Sequence, residues 1–196
     1  YGEQQFFKAL REVECLMDDL EVARGTVVLN PSTFDLASLV RERLELLRYR
    51  ADRKQVRVNA PLDANLVVHA DARVLGDLID ALLSNAFKFS HPGSTVEVLL
   101  CSTRSGVELI VRDHGVGLAA EDLPHVFDRF ALLGSRPTAG ESQGRGTLAR
   151  AHAWAMAYGG TLGVKSAGPG QGCTFTLCLP PLDGLSSVPD PLRVSD

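Results

Sequence analysis

The sequence predicts an α/β (α+β) two-layer sandwich: a mixed five-stranded sheet with about three helices on one face, plus one further helix at the N-terminus. Three observations carry this. Two hairpins alternate apolar and polar residues at the period of a half-buried strand. Val96, Val98 and Leu100 are answered by Val107, Leu109 and Val111 across a Ser105-Gly106 turn, and residues 161–166 by 173–179 across Gly168-Pro169-Gly170. Helical periodicity marks the segments between them. At 45% hydrophobic residues over 196 positions, the chain can bury a core, and wholesale disorder is excluded. The antiparallel hairpins argue against a fully parallel, doubly wound sheet.

The elements follow in order. Phe6, Leu10, Val13, Met17 and Leu20 recur at spacings of four, three, four and three, a heptad seam. Two heptads do not hold alone, so this helix packs on its own domain, on a second chain or on a missing helix. Gly25 ends it, and residues 26–29 read as a short extended connector. Pro31-Ser32-Thr33 offers a second helix start with Ser or Thr as cap. Leu36, Leu39, Val40, Leu44 and Leu47 form its apolar face. Arg41, Arg43, Arg48, Arg50 and Arg53 fall mostly on other faces and read as a solvated surface. Short strands are expected at 55–59 and 65–69. Residues 71–88 form a long helix that buries Val74, Leu75, Leu78, Ile79, Leu82, Leu83 and Ala86, and His91-Pro92-Gly93 stops it. After the first hairpin come a Gly-bearing loop at 113–118, a short helix over about 121–130, and a polar, aperiodic stretch at 131–143. Residues 148–158 read as helix, ended by Gly159-Gly160. Beyond Pro180-Pro181 the chain is rich in Ser, Pro and Asp and reads as a flexible tail, 182–196.

Composition narrows the function. The net charge of −4 argues against a general nucleic-acid binder. No apolar stretch reaches the ~18 residues of a membrane span, and the opening lacks the pattern of a signal peptide. The chain opens without Met and reads as part of a longer protein. Cys15, Cys101, Cys173 and Cys178 form no CxxC pair, which argues against a zinc site or a disulfide framework and for thiols in a reducing compartment. Sixteen Arg stand against four Lys, so a well-placed Lys stands out.

Three stretches carry chemistry. In Ser84-Asn85-Ala86-Phe87-Lys88-Phe89-Ser90, Asn85 and Lys88 are three apart and share a helix face; an amide oxygen beside an ammonium suits hydrated Mg²⁺ and the phosphates it bridges. In Asp113-His114-Gly115-Val116-Gly117-Leu118, a carboxylate at a strand end can accept from an exocyclic amine such as that of adenine, and two glycines let backbone approach a flat ligand. Gln143-Gly144-Arg145-Gly146 stands just before a helix, where exposed N–H groups suit phosphate. Each is common alone; their order and spacing are not.

In that order the chain strongly resembles the ATP-binding catalytic domain of sensor histidine kinases, within the Hsp90/gyrase/MutL-like ATPase superfamily. SNAFKFSHPG resembles the N box, VRDHGVGL the G1 box, LPHVFDRF the F box, and GGTLGVKSAGPGQGCTFTLCLP the closing strands. ECLMDDLEVARGTVVLNPSTFDLASLV is similar to the second dimerisation helix and its connector. The resemblance covers about residues 3–181. It implies three parts: a partial dimerisation hairpin at 1–25, the ATP-binding domain at 26–181 and the tail. It implies ATP and Mg²⁺ as cofactors. Asp113 would hold the adenine amine, with Gly115 and Gly117 shaping its pocket. Asn85 would ligate Mg²⁺, Lys88 would contact phosphate, and Phe89 would lie against the nucleotide. Gly144 and Gly146 would anchor a lid, and Thr174 would set a hydroxyl near the adenine. The implied partners are a second copy through the N-terminal helix and a response regulator. Nucleic acid and membrane contact are not expected, and the segment is expected to be cytoplasmic, with any anchor elsewhere in the full-length protein.

Two features depart from the family. Ala81, one turn before Asn85, replaces a polar residue, often Asn. The family's GxGLGL reads here as Gly144-Arg145-Gly146-Thr147-Leu148-Ala149, with the following helix one residue short. None of His69, His91, His114, His125 and His152 lies in a helical H-E/D-x-x-x-P setting, so no catalytic residue is assigned. The phosphoacceptor is expected to precede Tyr1 or to be lost. Two functions stay open: a histidine kinase catalytic domain, of full or weakened activity, and a degenerate module that binds nucleotide or a response regulator without phosphoryl transfer.

Overall fold

The computed structural model describes residues 30–63, 65–128, 134, 138 and 146–181. The N-terminal helix expected at 6–20, Gly144 and the tail at 182–196 lie outside these residues. The chain divides into two compact units, Tyr1–Pro31 and Ser32–Asp196, and the fold of the second follows.

The elements run β1 (Ser32–Asp35), α1 (Leu36–Arg53), β2 (Arg57–Asn59), β3 (Val67–Ala70), α2 (Ala72–Phe89), β4 (Thr95–Thr103), β5 (Gly106–Arg112), α3 (Thr147–Ala157), β6 (Thr161–Lys165) and β7 (Thr174–Leu179). Five strands form one mixed sheet in the order β2-β4-β5-β7-β6, in which β2 is parallel to β4 and the other pairs are antiparallel. Pairing of Leu109 with Leu177 and of Leu177 with Leu162 sets one apolar row across three strands. Val96, Val98, Leu109, Val111, Phe175 and Leu177 are buried, as are Leu75, Leu78, Ile79, Leu82 and Leu83 of α2. The expected sandwich is therefore present, with α2 at its centre, packed between α1 and α3. Phe175, 1% exposed, is the largest of the fully buried side chains.

Strand β1 departs from the sequence reading. Residues 32–35 pair antiparallel with β3, Thr33 opposite His69, so Ser32 and Thr33 are taken up by a ladder and do not cap a helix. Asp35 caps α1 in their place, accepting from the Ser38 N–H at 2.9 Å and the Ala37 N–H at 3.3 Å. The same Oδ1 accepts from the Leu66 N–H at 3.1 Å, tying the cap to the approach to β3. Asp71 caps α2 and is itself buried; its N–H donates to Tyr158 Oη at 3.1 Å, which joins the start of α2 to the end of α3. The short helix expected over 121–130 is only a 3-10 turn, Leu123–His125. The bonds there run from each N–H to the carbonyl three residues back, at 119–122, 122–125 and 125–128, giving successive turns without an α-helical ladder.

Candidate functional site

Three segments meet at one end of the sheet: the last turn of α2, the loop after β5 and the turn joining β6 to β7. Their backbones are sewn together. The Val116 N–H donates to the Phe89 carbonyl at 3.1 Å, the Gly170 N–H to the Val116 carbonyl at 2.7 Å and the Gly172 N–H to the Gly115 carbonyl at 3.1 Å. Ser90 and Gly115 form an isolated antiparallel bridge. Glycine is required here by chain-to-chain approach. A Cβ on Gly115 would sit 2.0 Å from the Phe89 carbonyl oxygen, and one on Gly117, at φ +63°, would sit 2.2 Å from that of Gly168.

Asp113 follows β5 within this seam and is 2% exposed. Its Oδ1 accepts from the Gly115 N–H at 3.0 Å and the Cys173 N–H at 3.2 Å. Among the described residues no donor reaches Oδ2. Burial raises the carboxyl to about 6, against the pull of the two backbone bonds. A carboxylate held in a largely desolvated seam, with one oxygen left toward the cleft it lines, is a ready acceptor for a ligand N–H.

Asn85 and Lys88 lie half-buried on one face of α2, and the Lys88 ammonium lies over the Phe89 ring, 5.5 Å from its centroid. The Asn85 amide carries no hydrogen bond to any described residue. Ala81, 6% exposed, packs toward α3 against Asp77, Thr147, Arg150 and Trp154, in a gap too small for a water. Asp80 turns the other way, to accept from Arg43 Nε of α1 at 2.9 Å. Burial raises the Asp77 carboxyl, while Arg150 and Arg73 pull it back. Gly146 enters α3 at φ +88°, and its carbonyl accepts from the Arg150 N–H at 2.9 Å.

Residues 70–183 match the sequence profile of the histidine kinase-, DNA gyrase B- and HSP90-like ATPases. The chain belongs to this ATPase family. The sensor-like histidine kinase SenX3 of Mycobacterium tuberculosis (strain ATCC 25618 / H37Rv) is 32% identical over 188 residues, 93% of this chain and 45% of that protein. Histidine protein kinase DivJ of Caulobacter vibrioides is 32% identical over 85% of this chain and 28% of its own length. The chain thus spans less than half of these two relatives. Among solved structures, the mycobacterial sensor histidine kinase MprB aligns with a TM-score of 0.66 at 28% identity, covering 76% of this chain and 97% of that one.

Of the expected residues, Asn85, Lys88, Phe89, Asp113, Gly115 and Gly117 lie on the segments that meet at the seam, and Gly146 stands at the start of α3. Thr174 is placed differently. Its hydroxyl lies 3.4 Å from Arg112 Nε, in the row Arg112–Thr174–Lys165 that runs across β5, β7 and β6. That row faces away from the helices and, together with Asp113 and His114, lines an open cleft of about 370 Å³, to which the N-box residues of α2 contribute nothing. The residue beside Asp113 is Cys173, whose backbone N–H binds the carboxylate and whose thiol is pushed up to about 12 by burial, with the Asp113 charge adding to it. Strand parity held this signal: with Phe175 and Leu177 inward, Cys173 is inward and Thr174 outward. Ser166 was also missed. Its hydroxyl accepts from the Leu118 N–H at 3.0 Å and donates to the Gly172 carbonyl at 2.7 Å, bracing the loop after β5.

The residues fit the expected group. A carboxylate oxygen left open to the cleft suits an exocyclic amine, and the Asn85 amide oxygen, without a partner among the described residues, is a hard ligand suited to Mg²⁺. Among the described residues no cluster of three or more His, Cys, Asp or Glu side chains could hold a metal alone. None of the described helices is long and apolar enough to cross a membrane.

Proposed function

We propose that this chain is the ATP–Mg²⁺-binding catalytic segment of a two-component sensor histidine kinase. The observation that carries the reading is Asp113: buried, oriented through Oδ1 by two backbone donors, and open at Oδ2. Asp113 binds the adenine amine and fixes the base; Cys173, by its backbone bond, orients the carboxylate. Asn85 would hold Mg²⁺, Lys88 would answer phosphate charge, and Gly146 would bring the start of α3 toward the phosphates. Bound Mg²⁺ would neutralise charge as the γ-phosphoryl is transferred, and the protein contributes chiefly positioning. A full-length ShkA structure, similar to this chain at a TM-score of 0.68 and 26% identity, is described in complex with AMPPNP, which supports a nucleotide as the ligand. The partners are a second copy through the heptad seam and a response regulator, and the segment works in the cytoplasm.

Ala81 favours a second reading. Its methyl is sealed against α3 where the family sets a polar side chain, so transfer is weakened or lost while binding stays. Calorimetric titration of the folded chain with ADP, ATP and Mg²⁺, followed by transfer to a supplied dimerisation helix, separates the outcomes. Binding with transfer supports the kinase, and binding without transfer supports the degenerate module. No heat from either nucleotide removes the kinase and leaves, of the second reading, only a module that binds a response regulator.

A further inference from the structure

Lys54 is an unusual residue to bury. It ends α1 at 7% exposure, although lysine is almost never fully buried unless its charge is answered. Its Nζ donates to the main-chain carbonyl of Lys88, in the last turn of α2. That carbonyl belongs to the partly negative end of a helix, which answers an ammonium. The chain makes room for this arrangement at a cost. Gln55, immediately after Lys54, is the one non-glycine at positive φ among the described residues, at +57°, a conformation that disfavours side chains with a Cβ. The αL turn closes α1 through the Val56 N–H to the Ala51 carbonyl at 2.9 Å and sends the chain into β2. An apolar residue at 54 would avoid the cost of burying a charge, so helix stability alone does not explain a lysine there.

What lies beyond the Lys88 carbonyl gives the reason. Lys88 carries the ammonium assigned to phosphate. The next carbonyl, that of Phe89, accepts from Val116 of the adenine loop, and the next residue, Ser90, bridges to Gly115. The Thr138 N–H also donates to the Lys88 carbonyl at 3.4 Å, and its hydroxyl, 3.4 Å from the same oxygen, donates to the Ser90 carbonyl at 2.6 Å. The end of α2 is therefore the joint between Asn85 and Lys88 on one side and Asp113 on the other. We infer that Lys54 is a positioning residue: it fixes the register of the α2 terminus so that Asn85 and Lys88 meet the phosphates of a nucleotide whose base is held by Asp113. The inference rests on the nucleotide-binding reading above.

The test compares ligands that differ only in their phosphates. Adenosine and ATP–Mg²⁺ are titrated into the full chain, as wild type, Lys54→Met and Lys54→Arg, at a temperature where circular dichroism shows each folded. Lys54→Met is expected to weaken ATP–Mg²⁺ by about tenfold, the low end of what losing an outer-layer partner costs a ligated metal. Adenosine should change less than twofold, and Lys54→Arg, which keeps a charged donor, should recover most of the ATP–Mg²⁺ affinity. A stabilising role alone would not move the ratio of the two affinities. Should Lys54→Met fail to fold, Lys54→Gln, which keeps a donor without the charge, carries the same comparison. An unchanged ratio in the folded variant, with or without lower stability, overturns the inference. A folded wild type that binds neither ligand overturns the nucleotide reading itself, and the inference with it.

Discussion

Replacing Asp113 with Asn should make the protein more stable and less able to bind nucleotide. Burial raises the carboxyl from 3.8 to about 6. Between those values the folded chain holds a proton that the unfolded chain has released. The contribution of Asp113 to stability is therefore most favourable below about pH 4 and falls as the pH rises through about 6, opposite to the usual behaviour of a paired carboxylate. A displacement of that size is worth about 3 kcal/mol. Asp113→Asn keeps an oxygen for the Gly115 and Cys173 N–H groups but carries no charge, so it should avoid this loss. Urea unfolding followed by circular dichroism at pH 4, 5, 6 and 7.5 reads the difference. The two proteins should be close at pH 4, and the variant should lead by up to about 3 kcal/mol at pH 7.5. A difference that does not change with pH, or a variant less stable at pH 7.5, refutes the assignment of a strained buried carboxylate. In the wild type, adenosine affinity should also fall as the pH drops below about 6, because the amine needs the ionised form.

Other residues give independent checks. Gln55→Gly removes the side chain from a left-handed position and should raise stability by about 0.5–1 kcal/mol in the same unfolding assay. Gly115→Ala sets a methyl 2.0 Å from the Phe89 carbonyl and should cost about 3 kcal/mol, with loss of nucleotide binding even where the fold survives. Asn85→Ala should abolish the gain in ATP affinity on adding Mg²⁺ while leaving adenosine affinity intact, measured by titration with and without the metal.

Much of this was legible in the sequence. Alternation in the two hairpins gave four of the five strands of the sheet, and the apolar face from Val74 to Ala86 gave α2, because both are read directly from spacing. Strand β1 was not legible: Ser32 and Thr33 read as a cap, and only β3, more than thirty residues away, draws them into a ladder. Nor was the 3-10 turn at Leu123–His125, where a short helix over about 121–130 is expected. In the site, Asp113 and its glycines stood out by motif, but their physical reason differed. The glycines serve the approach of three backbone segments to one another. The resemblance puts a hydroxyl near the adenine at Thr174, whereas strand parity sets Cys173 beside the carboxylate and Thr174 on the open cleft that Asp113 also lines. Lys54 carried no motif at all, and only its burial against a distant carbonyl marks it.

The central claim is that Asp113 reads the amine of adenine, and the most direct test exchanges that amine for an oxygen. Mg²⁺–ADP and Mg²⁺–IDP, whose hypoxanthine presents an acceptor in place of the donor, are titrated calorimetrically into wild type and Asp113→Asn at pH 7.5. Wild type should favour ADP by roughly ten- to a hundredfold, as expected for a hydrogen bond to a charged group worth about 1.5–3 kcal/mol. Asp113→Asn should lose that preference. Equal affinity of the wild type for the two nucleotides, or an undiminished ADP preference in the variant, would contradict it.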